Sequence, residues 1–168
     1  RLSRQATDDR AALRRNYRLS LKLLAAVVFP AAVLLTFLAG PLTILLGGNE
    51  FMPEGAIALQ IMVWSMPLGW MNSLTQYVLV AMDLQRQITG AFVVAVGFNL
   101  ITNALLIPQY GYQAAALTTI ASELVLFIPF AILTQRGFGE RIEWVSLLWR
   151  PALATIAMIA VTIAGVQV

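Results

Sequence analysis

Five long stretches of apolar residues alternate along the chain with short polar segments. They cover residues 23–46, 56–82, 88–107, 114–133 and 151–168. Each approaches or exceeds the ~20 apolar residues that an α-helix needs to cross the hydrocarbon core of a bilayer. The pattern therefore predicts an all-α fold, a multi-pass transmembrane helix bundle with five spans, of which the last is the shortest.

The segment before the first apolar stretch is strongly basic. Residues 1–22 carry seven of the eleven Lys and Arg residues of the chain. Leu13, Tyr17 and Leu21 give this segment an apolar face at helical spacing. We interpret residues 1–22 as a cytoplasmic amphipathic connector helix at the membrane interface, and residues 23–168 as the transmembrane bundle. A basic surface that attracts anionic lipid headgroups or a substrate pyrophosphate is a further, compatible interpretation.

The loop charges predict the orientation of the spans. Segments 83–87 and 134–150 carry one and three basic residues, whereas segments 47–55 and 108–113 carry none. Alternate sides of the predicted bundle therefore hold all eleven basic residues and none. Because Lys and Arg are retained on the cytoplasmic side, we predict a cytoplasmic N-terminus and an outer C-terminus. The corresponding location is the plasma membrane, the inner membrane of a bacterium or archaeon.

Composition excludes several classes of protein. The 168 residues are 60% hydrophobic and 11% charged, with a net charge of +3, whereas soluble domains are roughly 25% charged. The basic residues are concentrated in the connector and do not form a surface for nucleic acid. The chain has no Cys and no His, so thiolate ligands and the commonest general base are missing. We therefore predict no catalytic residues, no metal site and no cofactor, and hence no enzyme.

Polar side chains recur at four-residue spacing inside the predicted spans, which places them on common helix faces. The residues selected as a substrate path are Asn72, Gln76, Asn99, Asn103, Thr119 and Glu123. Two interpretations remain open. The side chains either form interhelical hydrogen bonds, each contributing about 0.6 kcal/mol, or line a polar cavity for a hydrophilic substrate.

Glu123 is the only ionisable residue well inside a predicted span. A charge at that depth costs roughly 2.5–3.5 kcal/mol on insertion scales. We therefore expect its side chain to face the bundle or a watery cavity. A functional carboxyl and a neutral, hydrogen-bonded structural carboxyl both fit this position.

Prolines lie inside three of the predicted spans: Pro30 and Pro41 in the first, Pro67 in the second and Pro129 in the fourth. Proline removes a backbone donor and disturbs the carbonyl four residues earlier. Broken helices are used at hinges and binding sites in transporters, although proline is also commoner in membrane helices generally. Kinks in several spans favour a protein that moves.

The most specific motif is NLITNALLIPQYGYQAAALTTIASE at residues 99–123. With the upstream segments RRNYRLSLKLL, LAGPLTILLG and QYVLVAMDLQRQ, it resembles the C-terminal part of polysaccharide transporters. These are the O-antigen-type oligosaccharide flippases of the multidrug/oligosaccharidyl-lipid/polysaccharide exporter superfamily. The resemblance covers roughly residues 10–135, and it departs from the family pattern at Gln113, where glycine is common.

This resemblance implies a bundle of about 12–14 helices in two lobes around a central cavity, working by alternating access. The chain would form most of the second lobe, and its first residue, which is not Met, is consistent with a piece of a longer protein. The implied activity moves lipid-linked oligosaccharide from the cytoplasmic to the outer leaflet for cell-surface polysaccharide biosynthesis. The implied partners are the lipid bilayer, a polyprenyl-linked oligosaccharide and an N-terminal lobe of the same protein, with no nucleic acid.

Three other functions compete with this one. A cation-coupled multidrug exporter of the same superfamily would use Glu123 as its coupling carboxyl. A membrane glycosyltransferase or polymerase would need acidic loop ligands or a catalytic base, and the only outer carboxylates are Glu50 and Glu54. A membrane scaffold without transport activity would need no site.

Overall fold

The computed structural model describes residues 2–140 and four isolated positions, 149, 153, 155 and 156, with side chains from Arg10 onward. Helix α1 spans Leu2–Gly47, α2 spans Glu54–Met62, α3 spans Ser65–Ala81 and α4 spans Gln85–Phe138. A short 3-10 helix at Asn49–Phe51 joins α1 to α2. No strand occurs within the described residues, so the all-α prediction is confirmed there. The span predicted at residues 151–168 lies outside the described part, apart from three isolated positions.

Helix α1 joins the predicted connector and the first predicted span without interruption. One face of this helix is buried from Tyr17 through Leu21, Ala25 and Val28 to Ala32. These positions recur every three or four residues, so a single stripe continues from the basic segment into the apolar one. The apolar face of the connector, at Tyr17 and Leu21, therefore packs against the rest of the bundle.

The segment predicted as one span at residues 56–82 is divided into α2 and α3 at Val63 and Trp64. The cause is Pro67, which has no N–H to donate to the carbonyl of Val63. That carbonyl accepts a hydrogen bond from the Met66 N–H at 3.0 Å, and the Trp64 N–H bonds Ile61 at 3.1 Å. These tighter i to i+3 bonds bend the chain between the two helices.

The other prolines within predicted spans do not divide their helices. Pro30 and Pro41 lie inside α1, and Pro129 lies inside α4. Among the prolines of the described spans, only Pro67 therefore lies at a division between two helices.

Helix α4 is a hairpin of two arms that reverses at Gly111, whose backbone is non-helical (φ 59°, ψ −140°). Three pairs of side chains join the arms, and each pair is nearly symmetric about Gly111: Phe92 with Phe130, Asn99 with Ser122, and Asn103 with Thr118. The arms correspond to the spans predicted at residues 88–107 and 114–133. The loop predicted at residues 108–113 is shorter than expected, because helical structure continues on both sides of Gly111.

The helices traverse the bundle in alternating directions. Tyr17 of α1 contacts Thr75 of α3, and Gln60 of α2 contacts Thr36 of α1, so α1 runs antiparallel to α2 and α3. The turn between α3 and α4 contains Asp83, whose φ of 60° is a left-handed conformation that Asp tolerates. The first arm of α4 then runs back along α3, and its second arm returns from Gly111.

One end of the bundle, which we call the basic end, collects the positive charge of the described residues. It contains the start of α1, the turn between α3 and α4, and the C-terminal end of α4. An ion pair between Arg14 and Glu140 joins α1 to the segment after α4. The cations toward this end are Arg10, Arg14, Arg15, Arg18, Lys22, Arg86 and Arg136, which are all the Lys and Arg side chains that the structure describes. The opposite end carries Glu50 and Glu54.

Much of the apolar surface of this bundle is exposed. Two helices are long and apolar enough to cross a membrane, at Arg10–Gly47 and Gln85–Phe138. In the most apolar 18-residue stretch of each helix, only 28% and 22% are buried, whereas the core helix of a soluble protein is mostly buried. The exposed residues include Leu23, Val27 and Leu100. This surface fits a hydrocarbon solvent and identifies an all-α membrane fold.

Gly111 provides a test of the hairpin. We expect Gly111→Ala to destabilise the protein by about 1–3 kcal/mol, because a positive φ with this ψ is strained for any residue with a Cβ. A Cβ at Gly111 would meet no atom within 4 Å, so the cost is conformational and not a clash. The measurement is thermal unfolding in detergent.

The matched control is Gly97→Ala, since a Cβ at Gly97 also meets nothing within 4 Å but Gly97 has no positive φ. Ala is favoured over Gly inside a helix, so this variant should be neutral or slightly more stable. Equal unfolding temperatures for the two variants would contradict the hairpin geometry.

Candidate substrate path

The closest polar contact between α3 and α4 joins Asn72 to Glu123. The Asn72 Nδ2 donates to the Glu123 Oε2 at 2.8 Å and to the Glu123 backbone oxygen at 2.9 Å. Asn72 is 3% exposed, and Glu123 is half-buried. The Glu123 carboxyl therefore faces the bundle and acts as a hydrogen-bond acceptor in this contact.

Gly69 leaves the space that this carboxyl occupies. A Cβ at Gly69 would lie 3.4 Å from the Glu123 Oε1 and 3.5 Å from its Cδ. These are ordinary van der Waals distances, so alanine fits here but a larger side chain would displace the carboxyl. Gly69 and Asn72 lie on successive turns of α3, and together they hold Glu123 against that helix.

Asn72 also carries a polar atom without a hydrogen bond. Its Oδ1 is buried and has no partner within the described part of the chain. Buried acceptors of this kind are uncommon in folded proteins. The two hydrogen bonds to Glu123 orient the Asn72 amide, and they leave its Oδ1 without a donor among the described residues.

A second polar group joins the two arms of the α4 hairpin. The Asn99 Nδ2 donates to Ser122 Oγ at 2.8 Å, and the Asn103 Nδ2 donates to Asn99 Oδ1 at 3.0 Å. The Thr118 hydroxyl in turn donates to Asn103 Oδ1. Asn99 and Asn103 therefore each form a hydrogen bond with the other arm of the hairpin.

Thr119 and Gln76 take part in neither group. The Thr119 hydroxyl bonds the Ala115 backbone oxygen at 2.8 Å, within its own helix. Gln76 is half-buried and makes no side-chain hydrogen bond with any other described residue. The structure thus brings together Asn72 with Glu123, and Asn99 with Asn103, but it does not join all six predicted residues into one site.

Sequence reasoning missed a third polar group, at the basic end. The Tyr17 hydroxyl and the Thr75 Oγ1 are 2.8 Å apart, and nearby the Thr134 hydroxyl donates to the Phe130 backbone oxygen at 2.7 Å. Tyr17 is 2% exposed, and Thr75 and Thr134 are fully buried. The sequence signal was the position of Tyr17 on the apolar face of a basic helix, but its partner Thr75 lies 58 positions further along.

An open groove of about 690 Å³ lies between α1 and α3. Its walls are mostly apolar and include Leu23 and Val27 on α1 and Trp70 and Tyr77 on α3. Trp70 and Tyr77 are 44% and 76% exposed. Two hydroxyl side chains, Ser20 and Ser73, also line it. The groove combines apolar walls, exposed aromatic rings and a few hydrogen-bonding groups.

Comparison with known protein families matches residues 7–105 to the family MatE. No curated protein sequence matches this chain, and no solved structure matches it. The MatE match runs from the connector through the second predicted span and most of the first arm of α4. Because it covers more than half of the chain, we conclude that this chain belongs to the MatE family, in the multidrug/oligosaccharidyl-lipid/polysaccharide exporter superfamily, whose members are transporters and not enzymes.

Proposed function

We propose that this chain is part of a flippase that moves lipid-linked oligosaccharide across the plasma membrane of a bacterium or archaeon. It would cross the membrane five times, with the basic end in the cytoplasm and the 3-10 helix outside. It would form most of one lobe and work against an N-terminal lobe of the same protein. The polyprenyl tail would stay in the bilayer while the sugar head crosses a hydrated cleft between the lobes.

The observation that carries this proposal is the motif at residues 99–123, which resembles the polysaccharide branch of the superfamily. Its positions have structural roles in the hairpin of α4. Asn99 donates to Ser122 and Asn103 accepts from Thr118 across the two arms, and Gly111 supplies the reversal. The buried Ala114 and Ala116 allow close packing after the turn. The motif therefore describes one helical hairpin.

The groove between α1 and α3 supports an amphiphilic substrate. Its apolar walls suit a lipid tail, whereas the exposed rings of Trp70 and Tyr77 offer flat surfaces to sugar rings. The hydroxyl groups of Ser20 and Ser73 add hydrogen-bonding groups to the same lining. Moving a sugar directly through hydrocarbon would remove the hydrogen bonds of its hydroxyls at a cost of several kcal/mol each. The proposed hydrated cleft between the lobes avoids this cost.

The distribution of charge supports the proposed orientation. The described cations lie toward one end of the bundle, and Glu50 and Glu54 lie at the other. Positively charged loops are retained in the cytoplasm during insertion. The cytoplasmic leaflet, where lipid-linked sugars would enter, is therefore assigned to the basic end.

A cation-coupled multidrug exporter is the alternative, and the position of Glu123 favours it. A carboxyl that faces the bundle inside a span is a potential coupling group. In the described structure, however, the Glu123 Oε2 is engaged by Asn72, and no group of three or more acidic, His or Cys side chains is available to hold a metal ion.

The two functions are separated by transport into proteoliposomes. We expect the intact protein to move a fluorescent polyprenyl-linked oligosaccharide to the opposite leaflet, where an impermeant quencher reports it. We expect no pH- or Na⁺-driven uptake of ethidium. Glu123→Gln retains an oxygen that can accept from Asn72, so it should flip oligosaccharide at the wild-type rate.

Protein-free vesicles and vesicles with a heat-unfolded protein serve as controls for spontaneous flipping. Ethidium uptake without oligosaccharide movement would overturn the proposal in favour of the exporter. Loss of all transport in Glu123→Gln, at normal abundance and unfolding temperature, would show that the carboxyl has a coupling role that we do not assign to it.

A further inference from the structure

A pocket of about 460 Å³ lies on the exposed flank of α1 near the basic end. We call it the basic pocket, and its lining consists of Ala11, Arg14, Arg15, Arg18, Leu19 and Lys22. Ala11, the pair Arg14 and Arg15, the pair Arg18 and Leu19, and Lys22 follow one another at intervals of three or four residues, so they share one side of the helix. Four of the six side chains carry a positive charge.

Three of these four cations lack an acidic partner in the described structure. Arg14 pairs with Glu140, whereas Arg15, Arg18 and Lys22 form no ion pair with any described carboxylate. Arg15 and Lys22 are exposed and Arg18 is half-buried. Like charges held together on one helix face repel one another. A bound anion would remove that repulsion, and Arg side chains suit a phosphate oxygen geometrically.

The basic pocket borders on a strip of exposed apolar residues. Leu19 lines the pocket and is 56% exposed, and Leu23 and Val27 follow at intervals of four residues with 61% and 62% exposure. This strip runs from the pocket toward the middle of the bundle. A small soluble anion would gain nothing from it, whereas the acyl chains of a lipid would cover it.

We propose that the basic pocket binds the phosphate headgroup of an anionic glycerophospholipid, whose acyl chains lie along Leu19, Leu23 and Val27. Arg15, Arg18 and Lys22 hold the phosphate, and Leu19 positions the glycerol at the boundary between charge and hydrocarbon. The lining of the basic pocket is separate from the groove between α1 and α3, whereas Leu23 and Val27, along which the acyl chains lie, also form part of the wall of that groove. The lipid is a bound component of the lobe and not its transported substrate, so the proposal does not depend on the flippase function.

The test uses the intact protein in nanodiscs of phosphatidylcholine containing phosphatidylglycerol, with retained lipid counted by native mass spectrometry. The variant Arg15→Gln/Arg18→Gln/Lys22→Gln should bind phosphatidylglycerol on the order of 100-fold more weakly, because each basic residue near a membrane surface contributes about fivefold. The matched control Arg10→Gln/Arg86→Gln/Arg136→Gln removes the same charge from the same end, outside the basic pocket. It should weaken phosphatidylglycerol binding far less than the pocket variant does, because these three side chains do not line the basic pocket.

Leu19→Gln distinguishes a lipid from a soluble phosphate. It should weaken phosphatidylglycerol binding roughly fivefold by removing part of the apolar contact, while binding of glycerol phosphate stays weak and unchanged. Wild-type retention in the pocket variant, or equal losses in the pocket variant and its control, would overturn the proposal. So would tight binding of glycerol phosphate alone, or preferential retention of a polyprenyl pyrophosphate over phosphatidylglycerol.

Discussion

Replacing Asn72 with leucine is expected to lower the free energy of unfolding by on the order of 1–3 kcal/mol. The Asn72 Nδ2 is the donor that the Glu123 Oε2 accepts inside the bundle. Leucine has a similar volume but cannot donate, so the carboxyl would lose its partner in a poorly hydrated environment. Unfolding in detergent, followed by circular dichroism, measures the loss.

The double variant Asn72→Leu/Glu123→Leu should recover most of that stability. Removing one partner leaves the other unsatisfied, whereas replacing both with apolar groups is nearly neutral. The interaction free energy from this double-mutant cycle should therefore be clearly favourable for the wild-type pair.

Ser73→Leu is the control for introducing leucine into α3. Ser73 is adjacent to Asn72 but exposed, so this variant should unfold as the wild type does. A double variant that is less stable than Asn72→Leu alone would contradict the proposed pairing. It would show that the Glu123 carboxyl is stabilised by a group other than Asn72.

Replacing Tyr17 with alanine is expected to cost about 3–5 kcal/mol, the range for deleting a large buried aromatic side chain. The ring of Tyr17 lies 6.0 Å from that of Phe138 and packs in a cluster with Leu21, Met71 and Val78. The cavity would open between α1, α3 and the end of α4. The basic segment of α1 should then become accessible to protease while residues 23–47 remain helical.

Tyr17→Phe keeps the ring but removes the hydroxyl that bonds Thr75. It should cost about 1 kcal/mol, the contribution of a typical hydrogen bond. Tyr77→Ala is the matched control, since Tyr77 is 76% exposed, and it should leave stability almost unchanged. Equal losses in Tyr17→Ala and Tyr77→Ala would show that the connector is not held by this contact.

The sequence alone predicted which segments are helical and that the protein belongs in a membrane. The low charge and the long apolar runs are local properties, and they do not depend on how the helices pack. The positions of the polar residues on common helix faces also followed from the sequence, because helical spacing fixes which side chains share a face. The orientation of the Glu123 side chain toward other helices could be anticipated because a charged group in hydrocarbon is costly.

Only the tertiary structure decided which polar side chains meet. Asn72 and Glu123 are 51 positions apart, and Asn99 bonds Ser122 across a hairpin. Such pairings depend on the rotation and axial position of each helix relative to its neighbours, which periodicity does not specify. The sequence therefore does not specify that Asn99 meets Ser122 and that Asn103 meets Thr118.

The breaks in the helices likewise separate what the sequence predicts from what only the tertiary structure decides. Proline and glycine mark where a helix can bend, but the sequence does not indicate that the chain divides before Pro67 and continues as helix through Pro30, Pro41 and Pro129. The connector was predicted as an amphipathic helix at the membrane interface because its charges and apolar face fit that environment. In the structure, Tyr17 and Leu21 extend the buried stripe of α1. These side chains face α3 and not lipid because α3, formed by residues more than fifty positions away from Tyr17, provides a surface against which they pack.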